Sequence, residues 1–382
     1  MLLVLLFLYA IYDYYPPETI GVREITVSGI KGFGVPDLVI QGSDAQHNIW
    51  ATRGFWAYKR PPLKMVFLRQ YHIPTGMSIC WFGNFSIVRW LVSRDIWVEL
   101  LPFNDGEAIA ASGNKIWCRS VDGVFINTFK FKYGLAGIGG VGIGTGVLPS
   151  GLLLTRKGRV LIGEYWGNSG FEEVNVYASD DRGRNWARVY RFERGAIRHI
   201  HGIQQDAYDG SIWMCTGDDG NQAKILRTNE EFKNVTVLQE NSQQFRTTGL
   251  VLDDQHVCWG TDTSQQDVRG IYRADKEMQR IEKLSEITGT ILMTCTLENR
   301  LMVMSESRDH DGAQDDSINI YLIRDGSTVK KITLDRRKTY HLFKNYSWAR
   351  LARGGALSSL YLTLLNVEKY NGMLLVFPES SL

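Results

Sequence analysis

Six apolar runs, each ending in a small or acidic residue, recur along the chain: KIWCRS, RVLIGEYW, SIWMCTGDD, HVCWGTDT, RLMVMSES and SLYLTLLN. Their first core residues are Ile116, Val160, Ile212, Val257, Leu301 and Leu360, spaced 44, 52, 45, 44 and 59 positions apart. Each run follows a polar turn such as SGNK, YDG or LENR, and another short apolar stretch precedes it. A third and a fourth stretch follow, as in VNVYAS and WARVYRF. A unit of this size cannot bury its own apolar faces alone, so a repeat of this kind implies stacked copies. Four short strands in roughly 45–50 residues is the pattern of a propeller blade. Helical signals are nearly absent: RADKEMQRIEKLSE has helix-like composition, but its period fits a loop or short strand equally. From Gly21 to about Phe103 the runs REITVSG, NIWATRG, LKMVFLR and SIVRWLV are spaced more loosely and supply one more blade plus the strand that closes the ring. Residues 21–382 are therefore predicted to form a single all-β propeller of seven four-stranded blades, with six as the alternative.

A second signal is SDDRGRNW, from Ser179 to Trp186. It fits the pattern S-x-D-x-G-x-T-W except that Asn185 stands at the Thr position, and SVDGVF from Ser120 is a degenerate echo. Such a segment makes a tight turn between the third and fourth strands of a blade. Asp181 accepts backbone N–H bonds, Gly183 takes a positive φ, and Trp186 plugs the space between blades. The segment resembles the Asp-box (BNR) repeats of the sialidase-like propellers. The resemblance implies a carbohydrate-active enzyme, with the Asp box on the face away from substrate.

Composition narrows the partners. With 43 basic and 41 acidic residues the net charge is +2, and no Lys/Arg run tracks phosphates, so nucleic acid is not expected as a partner. Eleven Trp and seventeen Tyr suit sugar stacking as well as an aromatic-rich β core. None of Cys80, Cys118, Cys215, Cys258 and Cys295 forms a CxxC pair, and three of them sit in apolar strand-like runs, which reads as buried free thiols. MLLVLLFLYAIY is too short to span a bilayer, which takes about 20 residues. It matches a signal-peptide core in length but lacks a basic leader and a clear cleavage site. Residues 1–20 are therefore expected to be an anchor or signal-like segment that permits membrane attachment, and the protein is expected to be a monomer facing the extracytoplasmic side. A docked N-terminal strand or helix is the alternative. The N-x-S/T sequons at Asn84, Asn234 and Asn345 are permitted in an exported chain.

Propeller geometry brings the starts of first strands and the ends of second strands to one rim around the central opening. The second-strand ends supply Glu164, Tyr165 and Trp166, then Asp218 and Asp219, then Asp262, then Glu306 and Ser307. The first-strand starts supply Arg198, His199 and His201 in one blade and Gln244 and Arg246 in the next, with Tyr340 and His341 in a comparable place in the last. His199 and His201 are two apart in a strand and so share a face. Side chains at such a rim bury little apolar area, so truncating them is expected to leave stability nearly unchanged.

The expected catalytic residues are His199, His201, Asp218, Asp262 and Glu164. The expected binding residues are Trp166, Tyr165, Arg198, Gln244, Arg246, Asp219, Glu306 and Tyr340. Arg198 or Arg246 suits a bidentate clamp on a carboxylate and Trp166 a pyranose face. Paired carboxylates fit glycoside hydrolysis. His199 or His201 with Tyr165 or Tyr340 fits proton abstraction beside a uronate. The sialidase resemblance implies three arginines, a Tyr–Glu nucleophile pair and an early R-I-P motif; the nearest segment is YHIP, with His72 in the arginine's place. The RHIHG run is more similar to polysaccharide lyases and rhamnosidases on seven-bladed propellers, which rely on His, Tyr and Arg. The expected partner is a poly- or oligosaccharide, acidic by preference or else neutral, cleaved by hydrolysis or elimination, and a non-catalytic glycan-binding or assembly-scaffold propeller is the competing reading. No cofactor is expected. A divalent metal on His199 and His201 is the lesser alternative, because no spacing fixes a third ligand.

Overall fold

The computed structural model describes residues 16–74, 85, 98–132, 146–308, 315–324, 327–338, 346–354 and 357–382. The chain opens with β1 (Thr19–Gly21), β2 (Arg23–Val27) and β3 (Ile30–Pro36), then winds through the blades in order. Blade 1 is β4 (Val39–Ser43), β5 (Ile49–Arg53), β6 (Trp56–Arg60) and β7 (Val66–His72). Blade 2 is β8 (Glu99–Pro102), β9 (Ala108–Ser112), β10 (Lys115–Arg119) and β11 (Phe125–Lys130). Blade 3 is β12 (Leu152–Leu154), β13 (Val160–Gly163), β14 (Val174–Ser179) and β15 (Ala187–Phe192). Blade 4 is β16 (Ile200–Gln205), β17 (Ile212–Thr216), β18 (Lys224–Thr228) and β19 (Thr236–Gln239). Blade 5 is β20 (Leu250–Leu252), β21 (His256–Gly260), β22 (Ile271–Asp275) and β23 (Ile281–Ser285). Blade 6 is β24 (Thr290–Thr296), β25 (Met302–Ser307), β26 (Ser317–Arg324) and β27 (Thr328–Arg336). Blade 7 takes β28 (Trp348–Leu351), β29 (Ser359–Leu365) and β30 (Met373–Pro378) from the C-terminal end.

Every pairing within a blade is antiparallel, and the first strand of each lies innermost, against its neighbours around the ring. β3 pairs with β30, with Phe33 opposite Val376 and Gly34 opposite Leu375, and β2 lies outside β3. Both ends of the chain thus build blade 7, and the ring is closed by a hairpin where the sequence suggested one strand. β1 adds a fifth strand to blade 1 beyond β7. The seven-bladed propeller is therefore the fold, and the region read as helix-like becomes β22, a turn and β23. The only helical segments among the described residues are single 3-10 turns.

Second strands carry the repeat because they are buried on both faces: VLIG of β13 and IWMCT of β17 are buried at every residue. Such strands read as continuous apolar runs, whereas β14 alternates buried and half-buried positions. One run is misplaced by a strand. KIWCRS is β10, the third strand of its blade, and the second is β9, whose AIAAS is small and less conspicuous. The core lies between blades, where Trp213 packs with Trp259 and Tyr272, and Trp348 with leucines of β29.

The SDDRGRNW segment joins β14 to β15. Ser179 Oγ donates to Asp181 at 2.8 Å, and Asp181 accepts from the Asn185 backbone N–H at 2.8 Å. Gly183 has φ +84°, and a Cβ there would lie 2.8 Å from the Ile109 side chain of blade 2. Trp186 Nε1 donates to Gly183 O at 3.0 Å while its ring packs near Phe129 of blade 2. His72 ends β7, the outer strand of the original four in blade 1, edge-on to Trp56. Cys118, Cys215 and Cys258 are buried and Cys295 half-buried, all as free thiols; Cys80 lies outside the described residues. Asn234 is exposed, and Met1–Tyr12, Asn84, Tyr340, His341 and Asn345 lie outside the described residues. Among the described residues no helix is long and apolar enough to cross a membrane.

Candidate functional site

The site grows from the junction of β16 and β17. Ile200 pairs with Thr216 but Gly202 pairs with Cys215, so His201 is the extra residue of a β-bulge. A bulge re-aims a side chain without breaking the sheet. Here the bulge leaves His201 against His199, their ring centroids 4.9 Å apart. β17 ends at Thr216, and the next residue, Gly217, donates its N–H to His199 O at 3.1 Å. Gly217 sits at φ +79°, and a Cβ there would lie 2.0 Å from the Gln222 carbonyl oxygen. Only glycine fits, and it turns the chain so that Asp218 folds back over the histidines.

Two imidazoles and three charged side chains from blades 4 and 5 converge there. His199 Nε2 lies 3.0 Å from His201 Nε2 and 3.3 Å from Asp218 Oδ2, and His201 Nε2 lies 3.2 Å from Asp218 Oδ1. Arg198 Nη1 is 3.3 Å from Asp218 Oδ2, and Arg246 Nη2 is 3.3 Å from Oδ1. Arg246 Nη1 also donates to Asp218 O at 2.9 Å, and its Nε faces Asp262 at 3.4 Å. The Tyr165 ring covers His199 with centroids 4.2 Å apart. His199 and His201 are buried, whereas Asp218, Arg198 and Arg246 keep 19%, 33% and 24% of their side chains exposed. The charged edge is partly exposed and the imidazoles are buried beside it.

The other ring nitrogens fix the tautomers. His199 Nδ1 meets Trp166 O at 2.9 Å and His201 Nδ1 meets Thr247 O at 3.1 Å. A carbonyl oxygen only accepts, so each Nδ1 carries the proton, and in a neutral ring each Nε2 presents its lone pair to the other and to Asp218. Burial pushes the His199 pKa down, reinforced by His201 and opposed by Asp218. Burial works to raise Asp218, whereas a histidine that carries a second proton, on Nε2, bonds its carboxylate and sets a positive charge against it, holding it far below the usual carboxylate range. Tyr165 is pushed up by burial, then by the Asp218 and Asp262 carboxylates, so its phenol stays protonated.

The remaining residues of the expected set fall elsewhere. Glu164 is buried and accepts from the Asn175 backbone N–H at 2.9 Å and from Asn175 Nδ2 at 2.8 Å, with Tyr177 Oη at 3.5 Å. Glu306 is also buried, taking bonds from Thr288, Gly289, Arg308, Asn319 and Tyr321. The bonds of both carboxylates tie them within their blades. Trp166 gives the site its carbonyl, while its ring lies in the apolar core beside Ile197 and Ile200 and offers no open stacking face. Asp219 is exposed beside the cluster, and its carbonyl accepts from Gln222 N at 2.8 Å. Gln244 contributes its carbonyl to Trp259 Nε1, whereas the unpredicted neighbour Gln243 donates to Asp218 O at 2.9 Å and accepts from Thr263 at 2.9 Å. Ser307 Oγ bonds Thr290 inside blade 6. The Thr247 carbonyl had no side-chain signal in the sequence.

No protein-family model matches the chain, and no curated protein matches it significantly in sequence. Its fold is similar to the extracellular domain of BT4673 from B. thetaiotaomicron, described as a hybrid two component system, with TM-score 0.52 and 13% identity over 93% of this chain and 39% of that one. The chain thus spans about two fifths of that relative. It is also similar to a chain of a Mitotic Checkpoint Complex, with TM-score 0.53 and 11% identity over 96% and 95% of the two chains. A third likeness is to YCF48 bound to D1 peptide, with TM-score 0.50 and 9% identity over 95% and 97%. At these identities the likenesses support the seven-bladed propeller and do not establish membership of a sialidase-like or Asp-box family.

Proposed function

We propose that the protein is an extracytoplasmic carbohydrate-active enzyme that opens an acidic glycan by β-elimination at the rim of blades 4 and 5. The observation that carries this reading is the convergence of His199, His201, Arg198 and Arg246 on the Asp218 carboxylate, each within 3.3 Å of it. Elimination beside a uronate needs its carboxylate charge neutralised, the C5 proton removed and the leaving oxygen protonated. Arg198 and Arg246 each have five N–H donors and spend only some of them on Asp218, which leaves donors for a substrate carboxylate. The His199–His201–Asp218 cluster receives the proton, and the protonated phenol of Tyr165, whose ring covers His199, supplies one.

Hydrolysis by two carboxylates has less support. Glu164 and Glu306 are spent on bonds inside their blades, and Asp218 and Asp262 both lie against Arg246. The test is a panel of polyuronates incubated with the purified protein, reading both the absorbance of unsaturated uronates and new reducing ends. Absorbance and reducing ends should rise together. His199→Ala should lower turnover by roughly 10²–10⁴-fold, and Arg246→Ala should mainly raise KM for carboxylated chains. Reducing ends without absorbance would mean a hydrolase, and binding without cleavage a recognition module.

A further inference from the structure

We infer that His199, His201 and Asp218 form a binding site for one divalent cation of the zinc class, with an open coordination position toward solvent. Two lone pairs held 3.0 Å apart, both facing a carboxylate at 3.2 and 3.3 Å, repel one another unless something positive lies between them. The separations suit a metal. Zinc bonds of about 2.0–2.1 Å in tetrahedral geometry put neighbouring ligand atoms roughly 3.3 Å apart, and the candidate ligand atoms of all three residues lie within 4.8 Å of one another.

The surroundings match too. Metal-ligating histidines characteristically donate their second ring N–H to a carbonyl or carboxylate, which is the role of Trp166 O and Thr247 O here. Asp218 is oriented in turn by Arg198 and Arg246. The two guanidiniums oppose a cation, but Asp218, Asp219 and Asp262 bring three negative charges against their two positive ones. A divalent ion then leaves the site with a net charge of one positive, which favours an anionic ligand at the open position, such as the substrate carboxylate proposed above. Three protein ligands and one open position is the pattern of a catalytic zinc centre.

The inference rests on reading this cluster as the working end of the propeller but not on elimination chemistry: with a metal bound, the two Nε2 lone pairs are ligands and no longer accept the substrate proton, and metal binding is measured without glycan. The full-length protein, stripped with chelator, is titrated with zinc alone and with cobalt alone. Elemental analysis and calorimetry should give one equivalent bound, and cobalt should show the visible absorption of a tetrahedral site. His201→Ala and Asp218→Asn should each weaken zinc binding by at least about 100-fold, an effect larger than the 10–100-fold typical of outer-shell partners. His256→Ala, on the blade 5 strand β21, should not weaken it. Circular dichroism separates loss of the site from loss of the fold, and a folded Asp218→Glu should restore part of the binding. Absence of stoichiometric binding by the wild-type protein, or affinity unchanged in His201→Ala and Asp218→Asn, would overturn the inference and leave a hydrogen-bonded cluster sharing a proton.

Discussion

At the scale of single residues, the histidines are buried, unlike the rim side chains expected from sequence. Truncating His199 removes the partner of Trp166 O and opens a space under Tyr165, so a loss of about 1–3 kcal/mol is now expected, in addition to any functional loss, in place of the unchanged stability of an exposed rim residue. Gly217 gives a sharper test of how the site is set. Gly217→Ala must strain a left-handed backbone and collide with the Gln222 carbonyl, so thermal unfolding should show a cost of roughly 1–3 kcal/mol or more. Because this turn aims Asp218, the variant should also lose ligand binding. Asp219→Asn, next to it and exposed, should stay within about 0.5 kcal/mol. Equal stability of the two variants would show that Gly217 is not required for the turn. The pairing of His199 with His201 was legible because strand alternation is a local property. The bulge that completes it was not, since it depends on register against β17, and the Trp166 and Thr247 carbonyls leave no mark in side-chain identity.

At the scale of strands, the acidic residues ending second strands divide into two kinds. Asp218 and Asp262 face the arginines, whereas Glu164 and Glu306 link the second strand of a blade to the third. The link is the same in blades 3 and 6: Glu164 bonds Asn175 and Tyr177, and Glu306 bonds Asn319 and Tyr321. The signal existed in the repeated N-x-Y of VNVY and INIY, but its meaning needed the pairing of the strands. Glu306→Ala leaves Arg308 buried with its charge uncompensated apart from Asp315, and a loss of about 3–5 kcal/mol is expected by chemical denaturation. Glu164 makes a prediction about pH. Burial holds its carboxyl above the ordinary value, so the folded chain binds this proton more readily than the unfolded one. The cost of ionising it is complete above the folded pKa and disappears as pH falls through the folded value to the unfolded one. Glu164→Gln removes that cost and keeps an acceptor for the Asn175 N–H. Its stability relative to wild type should therefore decline as pH drops from neutral into the carboxylate range, and a difference that grows instead would contradict the assignment.

At the scale of the whole molecule, the number of blades was legible because five second strands from blades 3 to 7 are apolar on both faces and recur visibly. Blades 1 and 2 were blurred by the small residues of β9 and by looser spacing. That an N-terminal segment closes the ring was legible, but that it does so as a hairpin with β3 on β30 was not, since this pairing joins segments far apart in the chain and no local pattern encodes such a partner. Closure makes a prediction about dependence. β2 and β3 place Val27 and Val35 in the apolar clusters of blades 6, 7 and 1, and cover the β30 edge formed by Leu374, Leu375 and Val376. β1 contributes less: it is a short, partly exposed strand, although the carbonyls of Pro16, Pro17 and Glu18 accept from Arg69 and Tyr58. A boundary at Gly21 therefore cuts into a fifth strand of blade 1. A chain beginning at Gly21 should still unfold cooperatively at a modestly lowered temperature. A chain beginning at Asp37 should lose the closing hairpin, bare the β30 edge and self-associate through it, because an unpaired apolar strand edge recruits another chain. Calorimetry and light scattering on the chains starting at Pro16, Gly21 and Asp37 distinguish these outcomes. Should the Asp37 chain remain monomeric with the melting temperature of the longest, blade 7 would be stable on three strands, and the hairpin would cover the propeller's edge without closing it.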